Sequence, residues 1–217
     1  MWTNYFDKIF LINLAKRTDR LEQATEQLNK YNIPFERVEA IEMLDGAEGL
    51  RLTMVGVFER AIENNWQNIL VFEDDMDIIE DTFTEVMEEV VQQMPVGYDL
   101  VYLGGQMCSL PTTWYWHNMI SVRNFYATHA VIYSLKAIKS IMAQNFTAPI
   151  DNCLVQIIQS KGDCYCIYPL LLSQIISKSD IYSDKPEIDW KPYIEGKYYK
   201  QIEKMRLAGN FTREPKK

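Results

Sequence analysis

The chain predicts an α/β fold with a mostly parallel central sheet flanked by helices, and three observations carry that expectation. Over the first hundred residues, apolar runs of strand length alternate with stretches of helical periodicity in the order β-α-β-α-β-α-β, as expected for parallel strands joined by crossover helices. The third run, Asn68 to Phe72, stops abruptly at Glu73, Asp74 and Asp75, with Asp77 close behind. The fourth, Tyr98 to Leu103, stops at Gly104 and Gly105. Ligands of such sheets bind outside the carboxyl ends of the strands, so the acids and the glycines are expected to share one cleft.

Each element has a local reason. Lys8 to Leu14 reads as a buried strand, and Arg17-Thr18-Asp19-Arg20 leads into a helix with Leu21, Ala24, Thr25 and Leu28 on one face. Asn32-Ile33-Pro34 stops that helix, and Phe35 to Ile41 alternates as a second strand. Glu42 to Leu50, with Gly46 and Gly49, reads as a loop, and Met54, Val57, Phe58, Ala61 and Ile62 then follow at helical spacing. Thr82 and Glu85 have capping-box spacing ahead of a stripe running from Phe83 to Met94.

The second half is less regular. Gln106 to Asn118 reads as a loop holding Trp114, Tyr115, Trp116 and His117. Thr128 to Ser134 and Asp163 to Pro169 read as strands, Leu135 to Gln144 as a helix, and Pro149-Ile150-Asp151 as the opening of a helix running to Ser160. A polar stretch from Ser173 to Trp190 precedes a short charged helix around Tyr193 to Leu207.

At 217 residues the chain is expected to be one domain, with a core over about 8–180 and a polar C-terminal segment over 181–217. The net charge of −8 argues against general nucleic-acid binding and a polybasic membrane surface, the basic Arg213, Lys216 and Lys217 reading as a solvated tail. No apolar run is long enough for a transmembrane helix and the N-terminus lacks signal-peptide regions, so a cytoplasmic location is expected. Cys108, Cys153, Cys164 and Cys166 have no CxxC spacing and read as thiols in a reducing compartment. Asn145-Phe-Thr and Asn210-Phe-Thr then read as chance matches to the glycosylation pattern.

The acids are the most informative feature. An ionised carboxylate is costly to desolvate unless it is paired, so a positive group is expected at this strand end. A divalent metal holding a diphosphate is the economical candidate, because Mg²⁺ and Mn²⁺ take one or two carboxylates and complete their shell with water and phosphate. The bland alternative is that acids merely cap the next helix, a role open to Asp81 or Thr82.

Seven segments follow one another in order: Phe10-Leu-Ile-Asn-Leu, Arg17-Thr-Asp-Arg20, Phe35-Glu-Arg-Val-Glu-Ala40, Ile69-Leu-Val-Phe-Glu-Asp-Asp75, Thr128-His-Ala-Val-Ile-Tyr-Ser134, Pro149-Ile-Asp151, and Tyr168-Pro-Leu through Gln174 to Ser177. That order resembles glycosyltransferase family 25, which includes bacterial lipopolysaccharide galactosyltransferases and animal collagen galactosyltransferases. The resemblance runs over about residues 8–180 and rests on order and spacing rather than on one motif. It implies a GT-A type fold, an inverting transfer, Mn²⁺ or Mg²⁺, and a UDP-sugar donor, most often UDP-galactose. One departure stands out: where the family often has a histidine opening the helix before the acidic strand, this chain has Leu52-Thr53-Met54.

With that resemblance, Glu73 and Asp75, at i and i+2 of an extended segment, are the expected metal ligands, with Asp77 a substitute in a shifted register. Asp74 is expected to bind the ribose or a backbone amide. Asn13, Arg17 and Arg20 are candidates for donor contacts, alternatively a helix surface and an Arg20–Asp19 pair. Asp151 is the candidate general base, alternatively a helix cap. His129 is expected near the diphosphate, metal or acceptor, alternatively in the core, and Gly104 and Gly105 permit a close ligand approach or only a tight turn. The three clustered aromatics suit an acceptor sugar, a packed lid or a partner surface, and Gln174, Ser177, Ser179 and Asp180 suit a segment closing over the donor.

The expected function is transfer of a hexose from a UDP-sugar to a hydroxyl of a glycan, a lipid-linked oligosaccharide or a glycoprotein, with donor hydrolysis as a side activity. A lipid-linked acceptor would bring the protein to a membrane face peripherally. The alternative is a catalytically inactive module that binds a nucleotide, sugar or protein partner. A metal-dependent phosphohydrolase is disfavoured, because two histidines are few for a two-metal site.

Overall fold

The computed structural model describes residues 1–109, 114–116, 118–175 and 197–207. Its centre is an eight-stranded sheet built from β1 (Lys8–Asn13), β2 (Glu36–Glu39), β3 (Asn68–Glu73), β5 (Leu100–Tyr102), β7 (Trp114–Trp116), β8 (Met119–Ser121), β10 (Ala130–Ser134) and β11 (Cys164–Ile167). The spatial order is β2-β1-β3-β10-β5-β11-β8-β7. β1 pairs in parallel with both β2 and β3, and β5 with β11, while β10 runs antiparallel between β3 and β5. The sheet is therefore mixed, with β10 and β8 the two strands that run against the others.

Alternation along the strands divides the core. Phe10, Ile12, Val71, Val131 and Tyr133 face α2 (Gly46–Glu63), α4 (Leu135–Met142), α5 (Ile150–Cys153, continuing as a π-helical turn through Gln159) and α6 (Lys197–Leu207). Ile9, Leu11, Leu70, Phe72, Ala130 and Ile132 face α1 (Thr18–Lys30) and α3 (Phe83–Gln92). Both faces of the sheet are thus buried, as expected when crossover helices cover parallel strands.

Short strands complete the carboxyl edge. β4 (Met76–Ile78) pairs with β12 (Leu172–Gln174), and β6 (Gln106–Met107) with β9 (Phe125–Tyr126). None of these was expected, since runs of two or three residues carry no readable periodicity. The expected loop over 106–118 therefore contains β6 and β7, and the expected strand over 163–169 is confined to β11.

Two local expectations are corrected. Gly46 to Leu50 is helix rather than loop, because Asp45 accepts hydrogen bonds from Ala47 N and Glu48 N and so caps α2. Thr82 does flank α3 as its N-cap, but its hydroxyl donates to Glu80 at 2.9 Å, so no capping box forms. The side chains of Trp114, Tyr115 and Trp116, together with His117, Ser177, Ser179, Asp180 and the basic C-terminal tail, lie outside the described residues.

Candidate active site

The carboxyl ends of β1, β2 and β3 open into a cleft. Its lining includes the apolar Ile12, Leu14, Ala40, Ile41, Met43 and Leu50 and the polar Asn13, Arg20, Glu73, Asp74 and Asp75. The lining thus mixes apolar side chains with a few polar and charged ones, as is common in small-molecule sites.

The three acids do different things. Asp74 is buried and turned inward, where Asn13 Nδ2 donates to its Oδ2 at 2.7 Å and Arg20 Nη1 meets its Oδ1 at 3.2 Å. Asn13 is fully committed: it also donates to Arg17 O at 2.9 Å and accepts from Arg37 Nε at 3.1 Å. Because Arg37 can only donate, the Asn13 amide has one possible orientation. Burial raises the Asp74 pKa, and Asn13 and Arg20 oppose that rise without overcoming it.

Glu73 and Asp75 are partly exposed in the cleft. Thr128 Oγ1 donates to Glu73 Oε1 at 2.5 Å, and Gln174 Nε2 donates to Asp75 Oδ2 at 3.1 Å. Asp75 Oδ1 is buried with no hydrogen-bond partner. Both pKa values are raised, first by loss of solvent; for Glu73 the neighbouring Asp75 charge adds to it. Two close carboxylates that are costly to ionise, one with an orphaned oxygen, fit a cation between them. Among the described residues no group of three His, Cys, Asp or Glu gathers at one point.

β10 brings a second segment to the same edge, because its antiparallel run places its start beside the end of β3. Glu73 N donates to His129 O at 3.0 Å. Ala127 turns the chain there with φ 75°, a conformation that non-glycine residues rarely adopt. His129 is buried, and neither ring nitrogen has a hydrogen-bond partner. Burial lowers its pKa to about 4, with the Leu172 backbone offsetting this only in part. The ring is therefore neutral at physiological pH. Gly104 gives it room: a Cβ there would lie 2.6 Å from His129 Nε2 and 2.1 Å from Leu172 O. Gly105, at φ 151°, packs against Phe125 and Tyr126, and its carbonyl accepts from Tyr199 Oη of α6 at 3.2 Å.

Asp151 lies in the first turn of α5, where it is half-buried and its Oδ1 accepts from Asn152 N at 2.7 Å. Ile150 and Cys153 of the same turn pack into the core with Val71 and Val131, and Asp151 is not among the residues that line the cleft. Arg17 grips Asp19 through two hydrogen bonds of 3.0 and 2.8 Å and does not line the cleft. Lys16 does line it, forming a 2.7 Å ion pair with Glu42 across the lip. Met54, where the family histidine is missing, is buried in the core rather than exposed in the cleft.

Sequence reading had singled out neither Lys16 nor Arg37. The usable signal for Lys16 was its place in the turn after β1, one residue before the chosen Arg17. For Arg37 it was an arginine inside an alternating strand beside a buried asparagine.

No family model matches the chain. Among solved structures, A197 from STIV aligns at TM-score 0.51 and 13% identity over 78% of this chain and 85% of that one. That likeness shows a shared fold. A Drosophila β-1,4-galactosyltransferase 7 mutant solved with manganese, UDP-Gal and xylobiose aligns at TM-score 0.47 and 13% identity, over 97% of this chain and 81% of that one. A glycosyltransferase involved in glycosylation of the major capsid of PBCV-1 aligns at TM-score 0.42 and 13% identity, over 65% and 67% of the two chains.

Proposed function

We propose that the protein is a metal-dependent inverting glycosyltransferase of GT-A type. It transfers a hexose, galactose first among the candidates, from a UDP-sugar to a hydroxyl of a glycan or glycoconjugate. The observation that carries this reading is the division of labour at the end of β3. Asp74 is bound inward by Asn13 and Arg20, while Glu73 and Asp75 stay in the cleft and Asp75 keeps a buried oxygen without a partner. A strand end built this way suits a divalent ion that carries a diphosphate. The order of segments that resembles glycosyltransferase family 25 supports the same chemistry.

In this mechanism Glu73 and Asp75 would hold Mn²⁺ or Mg²⁺, and the ion would supply Lewis-acid stabilisation of the diphosphate charge. The apolar lining residues Ile41, Met43 and Leu50 take the base, and the polar lining residues take the ribose and phosphates. Asp151 removes the proton from the acceptor hydroxyl. The acceptor oxygen attacks the anomeric carbon from the face opposite the leaving group, the bond from that carbon to the diphosphate breaks, and UDP leaves. His129, neutral and backed by Gly104, contributes polarity at this edge without adding charge.

The test is a calorimetric titration of wild type and Asp75→Ala with UDP and UDP-sugars, with and without Mn²⁺. Mn²⁺-dependent UDP binding that vanishes in Asp75→Ala supports the reading, and the tightest sugar names the donor. A folded protein that binds no nucleotide under either condition rules it out.

A further inference from the structure

We propose that Thr128 and Gln174 are positioning residues of the cation site, fixing which oxygen of each carboxylate the ion receives. The inference rests on the assignment of Glu73 and Asp75 as metal ligands.

The two carboxylates are gripped from opposite sides by elements distant in sequence. Thr128 precedes β10 and donates to Glu73 Oε1 at 2.5 Å. Gln174 ends β12 and donates to Asp75 Oδ2 at 3.1 Å. Each grip occupies one oxygen and leaves the other for a ligand: Oε2 of Glu73, and the buried, partnerless Oδ1 of Asp75.

The backbone reinforces both grips. Glu73 N donates to His129 O at 3.0 Å, and Ile175 N donates to Asp75 O at 2.8 Å. Residues 128–129 and 174–175 therefore bracket the acidic turn by side chain and main chain together. β12 is held in turn by its pairing with β4, with Gln174 opposite Met76. The turn is set before any ligand arrives.

Groups that hydrogen-bond to metal-ligating carboxylates orient them, and their loss typically lowers metal affinity about 10–100-fold. Thr128 and Gln174 are chemically suited to this, because a hydroxyl and an amide N–H donate without adding charge to the site.

The experiment measures Mn²⁺ affinity from the electron paramagnetic resonance signal of free Mn²⁺, in the presence of UDP. The proteins are wild type, Thr128→Val, Thr128→Ser, Gln174→Met and Asp75→Asn, each checked for folding by circular dichroism and melting temperature. Thr128→Val and Gln174→Met are expected to bind Mn²⁺ about 10–100-fold more weakly. Thr128→Ser, which keeps the hydroxyl, is expected to stay within threefold of wild type, as is the metal-free UDP affinity of the Thr128 and Gln174 variants. If Thr128→Val does not fold, Thr128→Ser and Gln174→Met still decide. Wild type binding Mn²⁺ through Asp75, with Gln174→Met binding equally well, overturns the positioning role alone. Wild type and Asp75→Asn binding Mn²⁺ equally weakly overturns the metal assignment, and this inference with it.

Discussion

Asn13 and Asp74, 61 residues apart in sequence, meet through a 2.7 Å hydrogen bond beneath the cleft, with both side chains buried. The bond ties the end of β1 to the turn after β3, and Arg20 closes it from α1 with an ion pair whose side chains are only 8 and 10% exposed. At that depth desolvation rivals attraction, so the pair specifies geometry more than it adds stability.

Arg20→Met leaves the Asp74 carboxylate buried with Asn13 alone. It is expected to cost about 3–5 kcal/mol in urea denaturation, because an uncompensated buried charge remains. The double variant Arg20→Met with Asp74→Leu should recover most of that loss. A single variant within about 0.5 kcal/mol of wild type, the usual range for surface substitutions, would show that the ion pair does not hold the turn.

Asp151→Asn removes the proposed base while keeping the shape of α5. General-base removal typically lowers the chemical rate about 10²–10⁴-fold. Transfer kcat should fall by that much while calorimetric affinity for UDP stays at the wild-type value. Full activity in Asp151→Asn would move the base elsewhere.

Glu73 links cation binding to pH. Its native pKa lies above the ordinary carboxylate value, so the folded metal-free protein keeps a proton that the unfolded chain has already released. Stability of the metal-free protein should therefore fall as pH rises above about 4.5, until Glu73 itself ionises. A bound cation requires the ionised form. The Mn²⁺-induced rise in melting temperature should thus be larger at pH 8 than at pH 5.5, with proton release visible as buffer-dependent heat. A pH-independent rise would count against Glu73 as a ligand.

His129 acts at lower pH. Its native pKa of about 4 is below the ordinary value of 6.5, so the unfolded chain binds the proton first. The stability tied to the neutral ring is fully present above about 6.5 and is lost as pH falls towards 4, in total about 3 kcal/mol. NMR titration of the His129 ring should show no protonation at pH 5.5. A midpoint near 6.5 would mean that the ring is solvated.

Two glycines should respond oppositely to alanine. At Gly104 the added methyl meets the Leu172 carbonyl and the His129 ring, and overpacking of this kind costs about 1–3 kcal/mol. At Gly56, within α2, nothing lies within 4 Å of the added Cβ, and alanine should stabilise by about 0.5–1 kcal/mol through helix propensity. Chemical denaturation of both variants reads the contrast directly.

β1, β3, α1, α3 and the body of α2 were legible because each is long enough to show its period. The acids announced themselves as charges where an apolar strand should have continued. What was not legible has identifiable physical causes. Gly46 and Gly49 looked like loop residues, yet Gly49 is needed inside α2 because a Cβ there would sit 2.3 Å from Ile41 O. β4 and β12 are three residues each, and their pairing joins segments about a hundred residues apart. The Glu73–Thr128 and Asp75–Gln174 contacts depend on such long-range pairings, which local pattern does not encode.

The insertion of β10 between β3 and β5 has a consequence for biosynthesis. β3 ends at residue 73 and its second neighbour begins at residue 130, so 57 residues (130 − 73) must be translated before that edge is covered. At roughly 5–20 residues per second the ribosome leaves it open for about 3–11 s. During that interval Leu70, Val71 and Phe72 present an apolar strand with unpaired main-chain groups, a template for association with other chains. Polypeptides released before residue 130 lack the strand that covers that edge, so truncations in this window are expected to pellet on centrifugation where the full chain stays in solution.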